Sequence, residues 1–371
     1  MIDSRPTRAK ISLTALEHNF RVAKRLAGSA RVMAIVKAEA YGHGLVCMAK
    51  EFSRLGADYL GVSFLEEGIT LREEGITLPI LVMGGLVDEQ IGRYLDFNLT
   101  ITVSSVWKAV HVDEVAGKRG VKASIHLKID TGMGRVGQNW ETSNVLLGSL
   151  SRLKNLRIEG IYTHFASSDS DDLTFTRTQL ERFHNVLQSA HRLGIPFELV
   201  HAANSGALVQ LGEEARFDMV RPGILLYGYT PAEWLAEKVD LKPVMSLLTK
   251  AVFVKKPSAG TPIGYNSTWH SPGDRWIATL PIGYGDGFPR RAGNRASVLF
   301  GGRRCPIIGN VSMDQITIDA GDEAWLGGEA LLWGQNSSGS LSIWELARSI
   351  DAIPYELLCG LTGRVPRVYL V

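Results

Sequence analysis

Short apolar, β-rich runs alternate with longer segments of helical spacing as far as Val220, and this alternation restricts the fold more than any other feature of the chain. The runs start near Val32, Tyr59, Pro79, Leu99, Ala123, Arg157, Phe197 and Phe217. Leu16, Phe20, Ala23 and Ala27 recur at helical intervals ahead of the first run, with Thr14 and Glu17 at capping-box spacing. Phe183, Val186, Leu187 and Ala190 mark another helix before the run at Phe197. Strands alternating with helices pair in parallel through right-handed crossovers. Eight such units match a (β/α)8 barrel in number and in chain length, and a doubly wound open sheet is the other fold with this pattern.

The texture changes after Tyr229. From Val244 onward the strand-like runs SLLTKAVFV, RWIATLPI, ASVLF, RCPII and DQITIDA are separated by Gly, Pro, Asn and Asp turn signals, as in an antiparallel domain. A late helix is expected over Ile343 to Ile350, ending before Pro354, which cannot simply continue it. The expected architecture is a (β/α)8 barrel over 10–230, then a mainly antiparallel β domain over 240–371. The boundary falls in TPAEWLAEKVDLKP.

Composition excludes several classes. The 371 residues hold 40 Lys+Arg against 38 Asp+Glu, a net charge of +2, with no long basic cluster, so no nucleic-acid partner is expected. Hydrophobic residues at 45% against 21% charged exclude a mainly disordered chain. No apolar run approaches the ~20 residues of a membrane helix, and MIDSRPTRAKIS has no apolar core for a secretory signal. Cys47, Cys305 and Cys359 are odd in number and far apart, which fits neither a disulfide framework nor a CxxC motif. A cytoplasmic, reduced protein is the expectation.

Lys37 ends the first apolar run, VMAIVK, where a barrel presents its active site. A partly desolvated amine there has a lowered pKa and can form a Schiff base; the alternative is a lysine that snorkels to the surface. The following loop, AEAYGHG, offers the Tyr41 hydroxyl and two glycines. His201-Ala-Ala-Asn204-Ser205-Gly206 and Arg221-Pro222-Gly223-Ile224 follow the last two runs, where such barrels often bind phosphate. Ser205 reads equally as an anion ligand or as part of a helix cap. Gly132-Met133-Gly134-Arg135-Val136-Gly137 matches GxGxxG but follows the fifth run, whereas a dinucleotide loop opens the first βα unit. Flanked by Lys128 and Arg135, it also reads as a glycine turn or an anion loop. His164 ends IEGIYTH and reads as structural, base or ligand. Without HxH, HExxH or a Cys/His cluster, no metal is expected. Tyr265, Tyr284 and Tyr355 each lie beside glycine or a turn, and Met313-Asp314 precedes a strand.

In order along the chain, AIVKAEAYGHG, KIDTGMGRVG, THFA, AANSGA, RPGILLYG, LPIGYGDGFPR, SMDQ and IPYELLCG follow one another. In these motifs, over nearly its whole length, the chain resembles the alanine racemase family, pyridoxal 5'-phosphate enzymes with a barrel plus a β domain, which implies that residues 1–9 join the β domain. The resemblance implies that Lys37 holds the cofactor covalently and that Tyr41, Ser205, Gly223, Ile224 and Tyr355 hold its phosphate. It implies Arg221 at the pyridine nitrogen with His164 behind it. Arg135, supported by Lys128 (often a carbamate in the family), would meet the phenolic oxygen and the substrate carboxylate. The Met313 N–H would bind that carboxylate, with Asp314 beside it and Tyr284 lining the entrance. Tyr265 would be the second base, supplied by the partner in a head-to-tail homodimer. The implied function is interconversion of L- and D-alanine, supplying D-alanine for peptidoglycan.

The sequence departs from the family at Ser267, two residues after Tyr265, where an arginine is usual; this bears on the choice between alanine and a substrate such as serine. A same-fold amino-acid decarboxylase is not expected to carry GYGDGFPR and SMDQ together. A non-catalytic cofactor carrier has no use for a second domain or for Tyr265.

Overall fold

A computed structural model describes residues 5–371, and its contacts divide the chain into two compact units. Glu17–Ala40 and Leu45–Leu241 form the first. Each of the apolar runs becomes a strand: Arg31–Ile35, Tyr59–Val62, Ile80–Val82, Thr100–Val103, Ala123–Asp130, Leu156–Tyr162, Leu199–His201 and Met219–Val220. All pair in parallel in chain order. The fourth bonds the fifth, and the last returns to the first through Met219↔Arg31 and Val220↔Val32, so the sheet closes. The open-sheet alternative is thereby overturned. Buried side chains such as Met33, Leu60 and Leu81 come from strands that read as nearly continuous apolar runs, as expected where both faces are covered.

The helix before the first strand spans Leu13–Ala27, but the capping expectation fails. The helix begins before Thr14, and the Ser12 hydroxyl accepts from the Ala15 N–H at 3.1 Å. Glu17 instead pairs with Arg21 and with Arg54.

The second unit gathers the strand Arg8–Ser12, the short segment Tyr41–Gly44 and Lys242–Val371. Its large sheet is mainly antiparallel. Arg8–Ser12 runs antiparallel to Met245–Lys250 and parallel to Arg367–Leu370. Residues 1–4, expected here with 5–9 from the resemblance, lie outside the described residues. Strands Ser297–Phe300, Arg303–Ile308, Ile316–Gly321 and Glu329–Asn336 complete most of the sheet, and Leu248, Leu299, Leu331 and Leu341 form one of its cores. The late helix is Ile343–Ser349, and Pro354 opens a new helix, Pro354–Gly360, at a first-turn position where its missing N–H costs nothing. Among the described residues no helix is long and apolar enough to cross a membrane.

Candidate active site

Lys37 directly follows the first barrel strand and Val36, at the catalytic end of the barrel. The turn it opens, Lys37–Gly42, is left-handed: φ is +53°, +54°, +52° and +53° at Ala38, Glu39, Ala40 and Tyr41, and +78° at Gly42. For each non-glycine residue this conformation costs about 1–2 kcal/mol. Such strain persists only where surrounding bonds over-determine it, and it concentrates at functional sites. Here the Ala40 N–H donates to Val36 O at 2.8 Å, the Ala38 N–H to Glu67 Oε1 at 2.7 Å, and the Leu45 N–H to Glu39 Oε2 at 3.2 Å. In the β-rich unit, a Cβ on Gly42 would overlap Leu358 O, and Arg367 Nε donates to Gly42 O at 2.9 Å.

Inside the barrel, cationic side chains crowd together. Arg221, only 3% exposed, donates to Thr163 O (2.7 Å), Ala202 O (2.9 Å), His201 Nδ1 (2.8 Å) and His164 Nδ1 (3.3 Å). Burial pushes its pKa down to about 10. Burial, then Arg221 and Arg135, hold the Lys128 amine well below the usual lysine range, with Asp130 opposing; Lys37 adds to the repulsion. Lys128 Nζ rests 4.2 Å from the centre of the Tyr162 ring. Burial and the same cations keep His164 uncharged.

Because an arginine only donates, it orders the protons on the histidines behind it. His201 Nδ1 accepts from Arg221, so neutral His201 carries its proton on Nε2 and donates it to His126 Nδ1 at 2.8 Å. His126 then carries its proton on Nε2, 3.8 Å from Glu159 Oε2, beyond hydrogen-bond reach but within electrostatic range. Tyr162 stacks on His201 at 4.7 Å. Gly160 makes the room: a Cβ there would sit 2.8 Å from the His126 ring.

Ser205 is the first residue of the helix Ser205–Gln210, and its hydroxyl accepts from the Gly223 N–H at 2.9 Å and the Leu225 N–H at 3.4 Å. The cap proper is Asn204, which accepts from the Ala207 N–H at 3.0 Å. The hydroxyl thus takes up both amides and ties the start of this helix to the segment around Ile224. The GxGxxG segment turns on itself. Its Gly132 and Gly134 N–H groups are taken up by the Asp130 carboxylate at 2.9 Å, and no helix opens directly behind it. The dinucleotide reading lapses.

The structure therefore gathers Lys37, Lys128, Arg135, His164, Ser205, Arg221, Gly223 and Ile224 at one end of the barrel. The remaining candidates lie in the β-rich unit. The Tyr41 and Tyr355 rings are 5.9 Å apart, and burial pushes the Tyr41 hydroxyl pKa up. Tyr265 is 69% exposed, on a turn fixed by Gly264 (φ +74°) and by Asn310 Nδ2, which donates to Tyr265 O at 2.8 Å. The Tyr284 N–H donates to Ser312 O at 3.0 Å, packing its loop against Met313. Met313 is 52% exposed and Tyr284 43%. Asp314 pairs with Arg364 at 2.6 Å.

The sequence offered His201 only as the head of a candidate phosphate segment and gave His126 and Tyr162 no role, although His126 left a signal. In SIHLKID the polar residues Ser124, His126, Lys128 and Asp130 alternate with Ile125, Leu127 and Ile129, which places all four on one face of a buried strand. The buried histidines carry a pH prediction. Burial lowers the pKa of His126, His164 and His201, so below the ordinary histidine value the unfolded chain binds protons that the fold does not. Stability is therefore complete above pH ~6.5 and falls below it, by up to ~1.4 kcal/mol per pH unit for each histidine. The thermal midpoint should be lower at pH 5.5 than at pH 7.5, less so in His126→Asn; a flat profile would mean that these rings charge freely within the fold.

These features define a barrel enzyme with a lysine and a buried cationic cluster at its catalytic end, joined to a β-rich unit bearing exposed tyrosines. Comparison with known proteins is more specific. The family description "Alanine racemase, N-terminal domain" matches residues 11–231, and "Alanine racemase, C-terminal domain" matches 244–369. The alanine racemase of Halothermothrix orenii is 39% identical over 99% of this chain and 97% of its own. Alanine racemase 2 of Caldanaerobacter subterraneus is 40% identical over 99% and 95%. The solved alanine racemase of Clostridium difficile superposes with a TM-score of 0.93 at 35% identity, covering 99% of this chain and 96% of that one. The chain belongs to the alanine racemase family, and so to the isomerases.

Proposed function

We propose that the protein interconverts L- and D-alanine in the cytoplasm, moving the α-proton between two bases on opposite faces of the substrate, with pyridoxal 5'-phosphate as cofactor and D-alanine for peptidoglycan as the product in demand. The reading rests above all on the gathering of Lys37, Arg221 and Ser205 at the catalytic end of the barrel, in a chain 39% and 40% identical to two proteins named alanine racemase. The donor set fits that cofactor. Arg221, Arg135 and Lys37, which together press on the Lys128 amine, suit an anionic ligand, the Ser205 hydroxyl at a helix start suits a phosphate, and an amine at a strand end suits an aldehyde.

When bound, the cofactor supplies a conjugated system that takes up the electron pair left at Cα. Lys37 Nζ anchors it and serves one face as base. Tyr265 Oη, from a second copy of the chain, holds or receives the proton on the other face. Ser205, the Gly223 and Ile224 amides, Tyr41 and Tyr355 hold the phosphate. Arg221, steadied by His164, would meet the ring nitrogen and yield no proton to it, which would weaken the electron sink and disfavour transamination. Arg135, backed by Lys128, and the Met313 N–H hold the carboxylate, with Asp314 alongside and Tyr284 at the entrance. The exposure of Tyr265, Tyr284 and Met313 favours a head-to-tail homodimer that covers them.

Ser267, in the left-handed region at φ +50°, favours a second substrate class, since it replaces a long cation with a short hydroxyl beside Tyr265. Purified protein with added pyridoxal phosphate should racemise L-alanine faster than other L-amino acids, with solvent deuterium entering Cα. Faster turnover of serine moves the substrate; carbon dioxide release, or no reaction with any amino acid, overturns the assignment.

A further inference from the structure

We propose that Glu67 is a positioning residue for Lys37, clamping the left-handed turn that carries it; this rests on the reading of Lys37 given above. One carboxylate joins two strand ends. Oε1 accepts from the Ala38 N–H at 2.7 Å, immediately after Lys37, while Oε2 accepts from the Ser63 and Phe64 N–H groups at 2.7 and 3.1 Å, just past the second barrel strand. The far side of the clamp is itself anchored. The Gly84 N–H, past the third strand, donates to Ser63 O at 3.1 Å, and a Cβ on Gly84 would overlap that oxygen.

Such a clamp is needed because of the backbone. Ala38, Glu39, Ala40 and Tyr41 all hold positive φ, which alanine and glutamate avoid in isolation. Left to local preference, the segment would rewind to the right-handed basin. The Cα–Cβ direction at the head of the turn would change with it, and the Lys37 amine would leave its place. Ala38 is the first residue of the turn with positive φ, so a charged acceptor on its N–H acts where rewinding would begin. Glu67 also sits in the first turn of the helix Leu65–Glu73, where its bond to Phe64 caps the helix. The two roles are separable, since they use different oxygens.

Glu67→Gln separates them. Its single carbonyl goes to the side with two donors, Ser63 and Phe64, and the cap survives. Its NH2 then faces the Ala38 N–H, donor against donor, and the clamp is lost. Ala38→Gly works in the opposite direction, because glycine enters the left-handed region without penalty.

The test compares holoenzymes of the wild type, Glu67→Ala, Glu67→Gln, Ala38→Gly and Glu67→Ala/Ala38→Gly. The readouts are kcat and KM for alanine, the rate at which stripped protein recaptures pyridoxal phosphate covalently, and hydrogen exchange at the Ala38 amide. Both Glu67 variants should lose roughly 10- to 100-fold in kcat with KM little changed, as a reacting group displaced by up to ~1 Å would. Both should recapture the cofactor more slowly and expose the Ala38 amide to exchange. Ala38→Gly alone should match the wild type, and in the double variant it should recover a substantial part of kcat. A Glu67→Gln variant that behaves as wild type, or a glycine that rescues nothing, overturns the clamp and leaves only the cap. If Glu67→Ala fails to fold, Glu67→Gln, with its cap intact, decides. Wild-type protein inactive on alanine would overturn the proposed function, and the exchange and recapture arms would still report on the clamp.

Discussion

Lys37→Ala should lower alanine racemisation by at least ~10⁴-fold, the upper range for a positioned acid–base group, because the same side chain is also the covalent anchor. Borohydride treatment of the wild type should fix the cofactor to the peptide bearing Lys37, and the variant should show no adduct. The informative rival is Lys128. On amine basicity alone it is a credible nucleophile, since burial, Arg221 and Arg135 all favour its neutral form. Position argues the other way. Lys128 lies within its strand, Ala123–Asp130, with its amine over the Tyr162 ring, whereas Lys37 lies beyond the end of its strand. An adduct on Lys128, or turnover within tenfold of wild type, would remove Lys37 from the mechanism.

The comparison of these two lysines shows where sequence reading succeeds and where it stops. The barrel was legible because most of its strands sit in apolar, β-branched runs that stand out between helices. The β-rich unit was less so. Arg8–Ser12, RAKIS, alternates buried and half-buried residues over only five positions and includes two cations. Its pairing with Arg367–Leu370 joins the two ends of the chain, a separation that no local pattern encodes. Glu329–Asn336 begins EALLW, which suits a helix as well as a strand. The turn after Lys37 is the sharper case. KAEAYG carries residues that favour a right-handed helix, and its handedness is imposed from outside by Glu67 and the strand ends. Similarly, the position of His201 at a strand end was visible, but its bond to His126 depends on register between neighbouring strands and on the space left by Gly160.

Tyr265→Phe should act unequally on the two directions of proton transfer. The substitution keeps the ring and removes only the hydroxyl, so the turn held by Gly264 and Asn310, which contacts the backbone oxygen of residue 265, should persist. If Lys37 serves one face and Tyr265 the other, the variant retains one complete base. Cα proton exchange with solvent should then continue from the enantiomer whose proton faces Lys37, while conversion to the opposite enantiomer falls by roughly 10²–10⁴-fold. A single base serving both faces predicts a different pattern, with equal losses from both enantiomers and primary isotope effects that the substitution leaves alone. The high exposure of Tyr265 adds a concentration test, because a base supplied by a second copy disappears on dilution. Mixing Lys37→Ala with Tyr265→Phe decides the point. A shared site should regain up to about a quarter of wild-type activity in a randomly reassorted mixture, since one of the two sites in a mixed dimer would hold both intact residues. Sites completed within a single chain would regain none.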